Sequence, residues 1–217
     1  GSEGWGQEKF YMPESIAVEP MGTILVVDTS NHCIKRFDDD GFFVLGFGYA
    51  GNFDGFLKFP TAAALDKEGN IYVADRDNQR IQIFNEDGQF VSKFGQYGSE
   101  VGKLNFPSGV TVRKDGTIVV AEKSQNRLQL FDREGNSLGV IGDTGKRDGQ
   151  FNCPMALVED PYGYIFVADT INNRIQKFDP DFNFVSKWGV IGKEPGQFRN
   201  PAGICLSWEP DWAPHDE

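Results

Sequence analysis

Four carboxylates recur at a fixed spacing in this chain, and such groups can hold a cation or anchor a turn. Asp28, Asp75, Glu122 and Asp169 are each 47 residues apart. An Asn follows three of them at an offset of three residues, and an Arg follows three of them at an offset of five. Asx side chains bond to local backbone, and Arg pairs with carboxylates. Because the group recurs in every copy, we expect it to hold the structure together and predict no metal site. The residues of this structural repeat turn are Asp28, Asn31, Asp75, Asn78, Arg80, Glu122, Arg127, Asp169, Asn172 and Arg174.

The elements that position these turns are copies of one 47-residue unit. The same step links the prolines, which are Pro13, Pro60, Pro107, Pro154 and Pro201. Each copy contains four short apolar runs separated by turn residues, which predicts a four-stranded antiparallel meander. One such sheet cannot bury itself, and a fixed period of this length with four strands per unit indicates a β-propeller. The predicted fold class is therefore all-β.

The register of the repeat sets the domain boundaries. We expect blades at about 13–48, 60–95, 107–142 and 154–189, followed by the first strand of a fifth blade at 201–207. These form one domain, 1–207, and residues 208–217 are expected to be an irregular tail because they contain two prolines and no strand alternation. Four blades could close into a ring, belong to a larger ring, or associate with another copy to complete one. A partial ring is the favoured alternative.

The repeated motifs resemble the NHL repeat. They are Phe/Leu-x-x-Pro, Gly-x-Ile-x-Val-Ala-Asp, Asn-x-Arg-Ile-Gln-x-Phe and a closing Phe-Gly, and they extend from about Gly4 to Ser207. The resemblance implies a six-bladed propeller as the usual complete form. It also implies recognition of protein or RNA on one face, as in TRIM-NHL proteins, or catalysis, as in peptidyl-amidating lyases.

Catalysis is not the favoured function. Related lyases hold zinc with histidines at the mouth of the propeller, whereas this chain contains only His32 and His215, which lie too far apart to form a cluster. No Gly-x-Ser-x-Gly element or phosphate loop is present. We therefore expect a protein that is not an enzyme and has no cofactor. A lyase or hydrolase with a metal in the central channel remains an alternative.

Nucleic-acid binding is disfavoured by charge. RNA-binding relatives tend to carry Arg just before the repeat proline, but the residues here are Met12, Phe59, Phe106, Cys153 and Asn200. The formal net charge is −11, and affinity for RNA rests mostly on phosphate contacts with basic groups. RNA binding remains the first alternative, ahead of a lyase or hydrolase.

The favoured function is a non-catalytic platform that recognises a protein or peptide. The residues that flank the repeat proline vary among copies while the frame stays constant, as a rigid scaffold with a free surface would show. Met12, Phe59, Phe106 and the adjacent Cys153 form an apolar row. Packing between blades is the favoured role of this row, and exposure would make it a peptide site. The candidate residues on this ring face are Met12, Glu14, Phe59, Arg76, Asp77, Phe106, Lys123 and Cys153.

Composition adds few constraints on location. The chain has 217 residues, of which 39% are apolar and 24% charged, and no apolar run approaches the roughly 20 residues that a membrane span needs. We recognise no targeting signal and expect no membrane partner; a cytoplasmic location is favoured, but the compartment stays open. The three cysteines are expected to be unpaired and buried.

Overall fold

A computed structural model describes residues 2–18 and 22–206 of the chain, and it shows a β-propeller of four antiparallel four-stranded blades. Blade 1 consists of β3 (Ser15–Val18), β4 (Ile24–Asp28), β5 (Cys33–Phe37) and β6 (Phe43–Phe47). Blade 2 consists of β7 (Pro60–Leu65), β8 (Ile71–Asp75), β9 (Arg80–Phe84) and β10 (Phe90–Phe94). Blade 3 consists of β11 (Pro107–Val112), β12 (Ile118–Glu122), β13 (Arg127–Phe131) and β14 (Ser137–Ile141). Blade 4 consists of β15 (Pro154–Glu159), β16 (Ile165–Asp169), β17 (Arg174–Phe178) and β18 (Phe184–Trp188).

A linker precedes each blade and repeats the same small ladder. Ahead of blade 1, β1 (Ser2–Glu3) pairs in parallel with β2 (Lys9–Phe10). The equivalent bridges in the later linkers are Ala50 with Leu57, Tyr97 with Leu104, Thr144 with Phe151, and Ile191 with Phe198. The linkers and the turns between second and third strands lie at the same end of the blades, which we call the linker face.

The second strands of blades 2 and 3 are sandwiched between neighbouring sheets. In β8 and β12 all five residues are buried, so their side chains are covered on both faces of the sheet. Leu25, Val27 and Phe47 of blade 1 pack against Ile71 and Phe84 of blade 2. Similar cores join blades 2 and 3 and blades 3 and 4. Full burial of one such aromatic or branched side chain contributes about 1.5–3 kcal/mol to the stability of the fold. A single isolated blade would lack this contribution, because it has no neighbouring blade to cover these side chains.

The outer faces of the first and last blades are exposed. Ile16 of blade 1 is 66% exposed, whereas the equivalent Leu157 of blade 4 is only 7% exposed because blade 3 covers it. At the other end, Trp188 is 42% exposed, whereas the equivalent Phe47 is 7% exposed. Within the described ranges, the three apolar cores all lie between consecutive blades. These exposures are those of an arc of four blades, as in the partial ring, and self-association stays a prediction.

The predicted first strand of a fifth blade is wrong over the residues that the structure describes. Residues 201–206 form no strand. The inner strand of a blade pairs only with the second strand of that blade, as β7 pairs with β8, and residues 201–206 have no such neighbour among the residues that the structure describes. Ser207 and the predicted irregular tail, 208–217, lie outside the described residues. Among the described residues, no helix has the length and apolar character needed to cross a membrane.

The third interface depends on a close backbone approach at Gly109 in β11. A Cβ there would lie 2.8 Å from the carbonyl oxygen of Met155 and 2.8 Å from Cδ2 of Leu157, both in blade 4. Real side chains essentially never approach so closely, and neither the backbone nor the packed leucine can easily move. Glycine therefore sets how tightly blades 3 and 4 pack.

We expect Gly109→Ala to lower the free energy of unfolding by about 2 kcal/mol because overpacking a close interface forces backbone shifts. The measurement is urea unfolding followed by circular dichroism. The matched control is Gly139→Ala in β14, where a Cβ would meet no atom within 4 Å. Equal stability of the two variants would contradict the close-approach argument.

Candidate functional site

The repeated carboxylates form a buried hub in each blade. In blade 2, Asp75 is fully buried and its Oδ1 accepts the backbone N–H of Lys58 at 2.7 Å. Its Oδ2 accepts bonds from Asn78 Nδ2 at 2.9 Å, Arg80 Nε at 2.7 Å and Gln82 Nε2 at 3.1 Å. One carboxylate thus joins the linker, the turn and the third strand.

The Arg80 guanidinium extends the hub into the linker. Its Nη2 donates to the carbonyl oxygens of Phe53 at 2.9 Å and Phe56 at 2.8 Å, and its Nη1 donates to that of Asn52 at 3.1 Å. Gln82 binds the linker as well, since it donates to the Phe56 carbonyl and accepts the Gly55 N–H. These bonds satisfy linker backbone groups that no strand partner reaches.

Blades 3 and 4 repeat the arrangement. Asp169 accepts from the Asn152 N–H at 2.7 Å, Asn172 at 2.9 Å and Arg174 at 2.7 Å. In blade 3 the longer Glu122 accepts the Asn105 N–H at 2.8 Å and pairs with Arg127 at 2.5 Å. The geometry is that of a structural turn, as the sequence predicts, with the arginine bound to the carboxylate of its own blade.

Blade 1 preserves the charge of the hub but moves it along the strand. Cys33 stands where the other blades have arginine, and Lys35 stands where they have glutamine. Lys35 Nζ lies 2.8 Å from Asp28 Oδ2 and donates to the carbonyl oxygens of Gly6 and Lys9, which are the equivalents of the Phe53 and Phe56 carbonyls. Lys35 is not among the turn residues predicted from the sequence. Alignment of the four copies could have found it, because blade 1 lacks the arginine at position 33 and has an extra lysine at position 35.

The cation is essential because the carboxylate is buried. Burial raises the pKa of Asp75, and the hydrogen bonds from Asn78, the Lys58 N–H and Arg80 lower it in return, with a net shift upward. Removing one member of a buried ion pair costs about 3–5 kcal/mol, since the other charge is left uncompensated. Each hub therefore requires one nearby cation, from either strand position.

We expect Lys35→Gln to destabilise the fold by about 3 kcal/mol, because Asp28 then has no cation. Adding Cys33→Arg to that variant recreates the pattern of the other blades and should recover most of the loss. Thermal and urea unfolding of the parent, both single variants and the double variant give the coupling between the two positions. If the stability changes of the two single variants simply add in the double variant, positions 33 and 35 are not alternative places for the cation of the hub.

A second repeated contact latches each linker to the preceding blade. The residue after each second-strand turn has a left-handed backbone, and its side chain accepts the N–H of the residue before the next proline. The pairs are His32 with Phe59 at 3.0 Å, Gln79 with Phe106 at 2.6 Å, Asn126 with Cys153 at 2.7 Å, and Asn173 with Asn200 at 3.0 Å. All eight residues have positive φ, from 47° to 58°. The left-handed backbone conformation costs a non-glycine residue about 1–2 kcal/mol. The latch bonds hold both residues of each pair in this conformation.

The structure brings four of the predicted ring-face residues together on the linker face. Arg76 pairs with Asp77 at 2.8 Å and with Glu14 of blade 1 at 3.7 Å, and its guanidinium lies 5.4 Å from the centroid of the Phe59 ring. The His32 ring packs edge-on against Phe59, with 4.4 Å between centroids. Phe59 is thus half-buried between blades 1 and 2.

The other predicted residues are separate from this group. Met12 is exposed before blade 1, and Phe106 is partly exposed before blade 3. Cys153 is buried, its pKa is raised by burial, and the charge of the exposed Lys123 lowers it in part. The apolar row therefore combines packing and exposure, and its role in binding stays a prediction.

The linker between blades 1 and 2 carries an aromatic cluster that the sequence analysis missed. Tyr49 is 70% exposed, Phe53 is 75% exposed, and both rings contact Phe56 with centroids 6.1 and 6.0 Å apart. The equivalent residues of the next linker are Gln96, Glu100 and Lys103. Aligning the linkers with one another would reveal this cluster, because only one linker has aromatic residues at these three positions.

A shallow pocket of about 360 Å³ lies beside the cluster. Ala50, Gly51 and Asn52 of the same linker form one side, and His32, Lys58, Phe59 and Asn78 form the rest. Burial lowers the pKa of His32, and the charges of Asp77 and Asp75 raise it in part. The pocket thus combines the Phe59 ring, the His32 imidazole and the exposed Lys58 ammonium group.

No metal centre emerges from the described part of the chain. Across residues 2–18 and 22–206, no three His, Cys, Asp or Glu side chains lie close enough to hold one ion. The three cysteines are free, and Cys205 is exposed rather than buried as expected. The hub carboxylates each face a cation of their own blade instead of a shared point.

Comparison with known proteins identifies the repeat. A β-propeller of four-stranded blades is the class that the fold defines, and the model of the NHL repeat matches residues 10–37 and 57–84. The chain therefore carries NHL repeats at these residues, within a β-propeller of four blades. A comparison with the curated proteins finds no match.

Solved structures share the fold at low sequence identity. Hydrazine synthase of Kuenenia stuttgartiensis matches with a TM-score of 0.61 and 17% identity, over 81% of this chain and 48% of that one. A streptogramin B lyase matches with a TM-score of 0.60 and 14% identity, over 83% and 55%. Virginiamycin B lyase from Staphylococcus aureus matches with a TM-score of 0.59 and 16% identity, over 84% and 56%. This chain spans about half the length of these structures, and identities this low show the fold alone.

Proposed function

We propose that the chain is a non-catalytic platform that recognises a peptide segment of a protein partner on its linker face, at the junction of blades 1 and 2. An NHL propeller supports an interaction scaffold in general terms, whereas two of the matching structures are lyases by name, so the fold is also compatible with catalysis. The proposal therefore rests on the surface itself.

The observation that carries the proposal is the exposed aromatic cluster of Tyr49, Phe53 and Phe56. The frame of the repeat does not need these rings, because the later linkers form the same bridge without an aromatic residue at any of the three equivalent positions. Exposed aromatic groups next to a pocket are typical of interaction surfaces, where such rings supply much of the binding energy.

The surrounding polar groups suit a peptide. Arg76, Asp77 and Glu14 form an ion-pair group at the edge of the same junction, and Lys58 contributes an exposed ammonium group. Such a polar rim around an apolar centre is the usual anatomy of a protein interface. Gly51 and Asn52 of the linker line the pocket together with Lys58.

The test is selection of a random peptide library on the immobilised chain, followed by anisotropy titration of the enriched peptides. The variant is Tyr49→Gln with Phe53→Glu, which inserts the residues of the next linker and so preserves the repeat. We expect it to weaken peptide binding by about tenfold or more, equivalent to about 1.4 kcal/mol, because it removes two anchors.

The matched control is Val91→Ser, which removes an exposed apolar side chain on the outer strand of blade 2 and should leave binding unchanged. Peptides that bind the double variant as well as the parent would contradict the proposed surface. Tight, salt-dependent binding of a single-stranded RNA pool would instead support the nucleic-acid alternative. Turnover of a substrate that depends on these residues would overturn the non-catalytic part.

A further inference from the structure

The four latches on the linker face differ in one chemical property. Each ties a backbone N–H before a proline to the side chain of residue 32, 79, 126 or 173. Gln79, Asn126 and Asn173 accept through an amide oxygen, which does not titrate near neutral pH. His32 accepts through an imidazole nitrogen, so the latch between blades 1 and 2 can respond to pH.

The geometry at His32 requires a neutral ring. Nδ1 accepts the Phe59 N–H at 3.0 Å, so it carries no proton and the ring proton is on Nε2. In the imidazolium form both nitrogens are donors, and a proton on Nδ1 would face the amide hydrogen. Protonation and the closed latch therefore exclude each other.

The charges around His32 act in both directions. Asp77 and Asp75 favour the protonated ring, and Lys58 and burial disfavour it. Asp75 is already bound to Arg80, and Asp77 to Arg76, whose guanidinium lies over the Phe59 ring. Burial is the largest influence and the net shift of the His32 pKa is downward. The closed form thus binds its proton less readily than the open form, so acid favours opening.

We propose that His32 is a pH-sensitive latch, which releases the Phe59 amide in mildly acidic solution while the other three latches stay closed. The sign follows from linkage: the latch is fully stabilising above the ordinary histidine pKa of about 6.5 and weakens as the pH falls below it. Phe59 then loses the bond that holds its left-handed backbone. His32 and Phe59 line the pocket of the proposed binding site, so opening of the latch would regulate peptide binding; that regulatory role rests on the proposed function.

The experiment is amide hydrogen exchange by NMR on the chain alone, from about pH 5 to about pH 7.5, each rate corrected for the intrinsic pH dependence. Protection of the Phe59 amide should fall by about tenfold or more relative to its three equivalents at the acidic end. Phe106, Cys153 and Asn200 supply the internal controls in the same molecule. Equal behaviour of all four amides would overturn the latch.

The matched variant is His32→Asn, which inserts the residue that blades 3 and 4 use and which tolerates a left-handed backbone. It should keep the Phe59 amide protected throughout the pH range. A fall in protection that persists in the variant would assign the effect to another group and overturn the proposal. Because no peptide is present, failure of the peptide selection would leave this result unaffected, and failure here would leave the binding surface intact.

Discussion

The fold depends on one buried carboxylate in each blade. A propeller is built by returning the chain from the outer strand of one blade to the inner strand of the next, and that return segment has few strand partners of its own. Asp75 and its equivalents supply the missing bonds, since they join a linker amide, a turn and a cation that binds two or three linker carbonyls. Leaving a buried charge without its cation costs about 3–5 kcal/mol. Blade packing and linker geometry are therefore fixed together.

The hub of the first blade shows that the constraint is on charge and not on residue position. Lys35 replaces the arginine from two residues along the strand, where its side chain points to the same face of the sheet. It reaches the same carboxylate oxygen and the equivalent linker carbonyls. In the sequence this exchange resembles two unrelated deviations, an absent arginine at Cys33 and an irregular lysine. The compensation becomes visible only when both side chains are placed around one oxygen.

The period of the repeat contains most of the fold. Blade boundaries, strand order and the buried second strands follow from the 47-residue step, because each copy repeats the same alternation and turns. The repeat period does not say whether each strand has a neighbouring strand with which to pair. Residues 201–206 have the pattern of an inner strand, yet a strand exists only where a neighbour accepts its hydrogen bonds. In the same way, the exposure of Ile16 and Trp188 depends on what covers the two outer faces, and a local pattern carries no information on that.

The candidate site was harder to predict because its signal is a difference between copies. Positions next to the repeat proline vary, but the latches constrain them, and Phe59 and Cys153 are largely covered as a result. The linker residues vary without such a constraint. Tyr49 and Phe53 project into solvent, so burial contributes almost nothing to keeping aromatic rings there. Deviations within the hub are compensated and preserve the fold, whereas deviations on the linkers have no structural compensation. In an array this regular, an uncompensated apolar deviation is therefore the physical signal on which the proposed binding site rests.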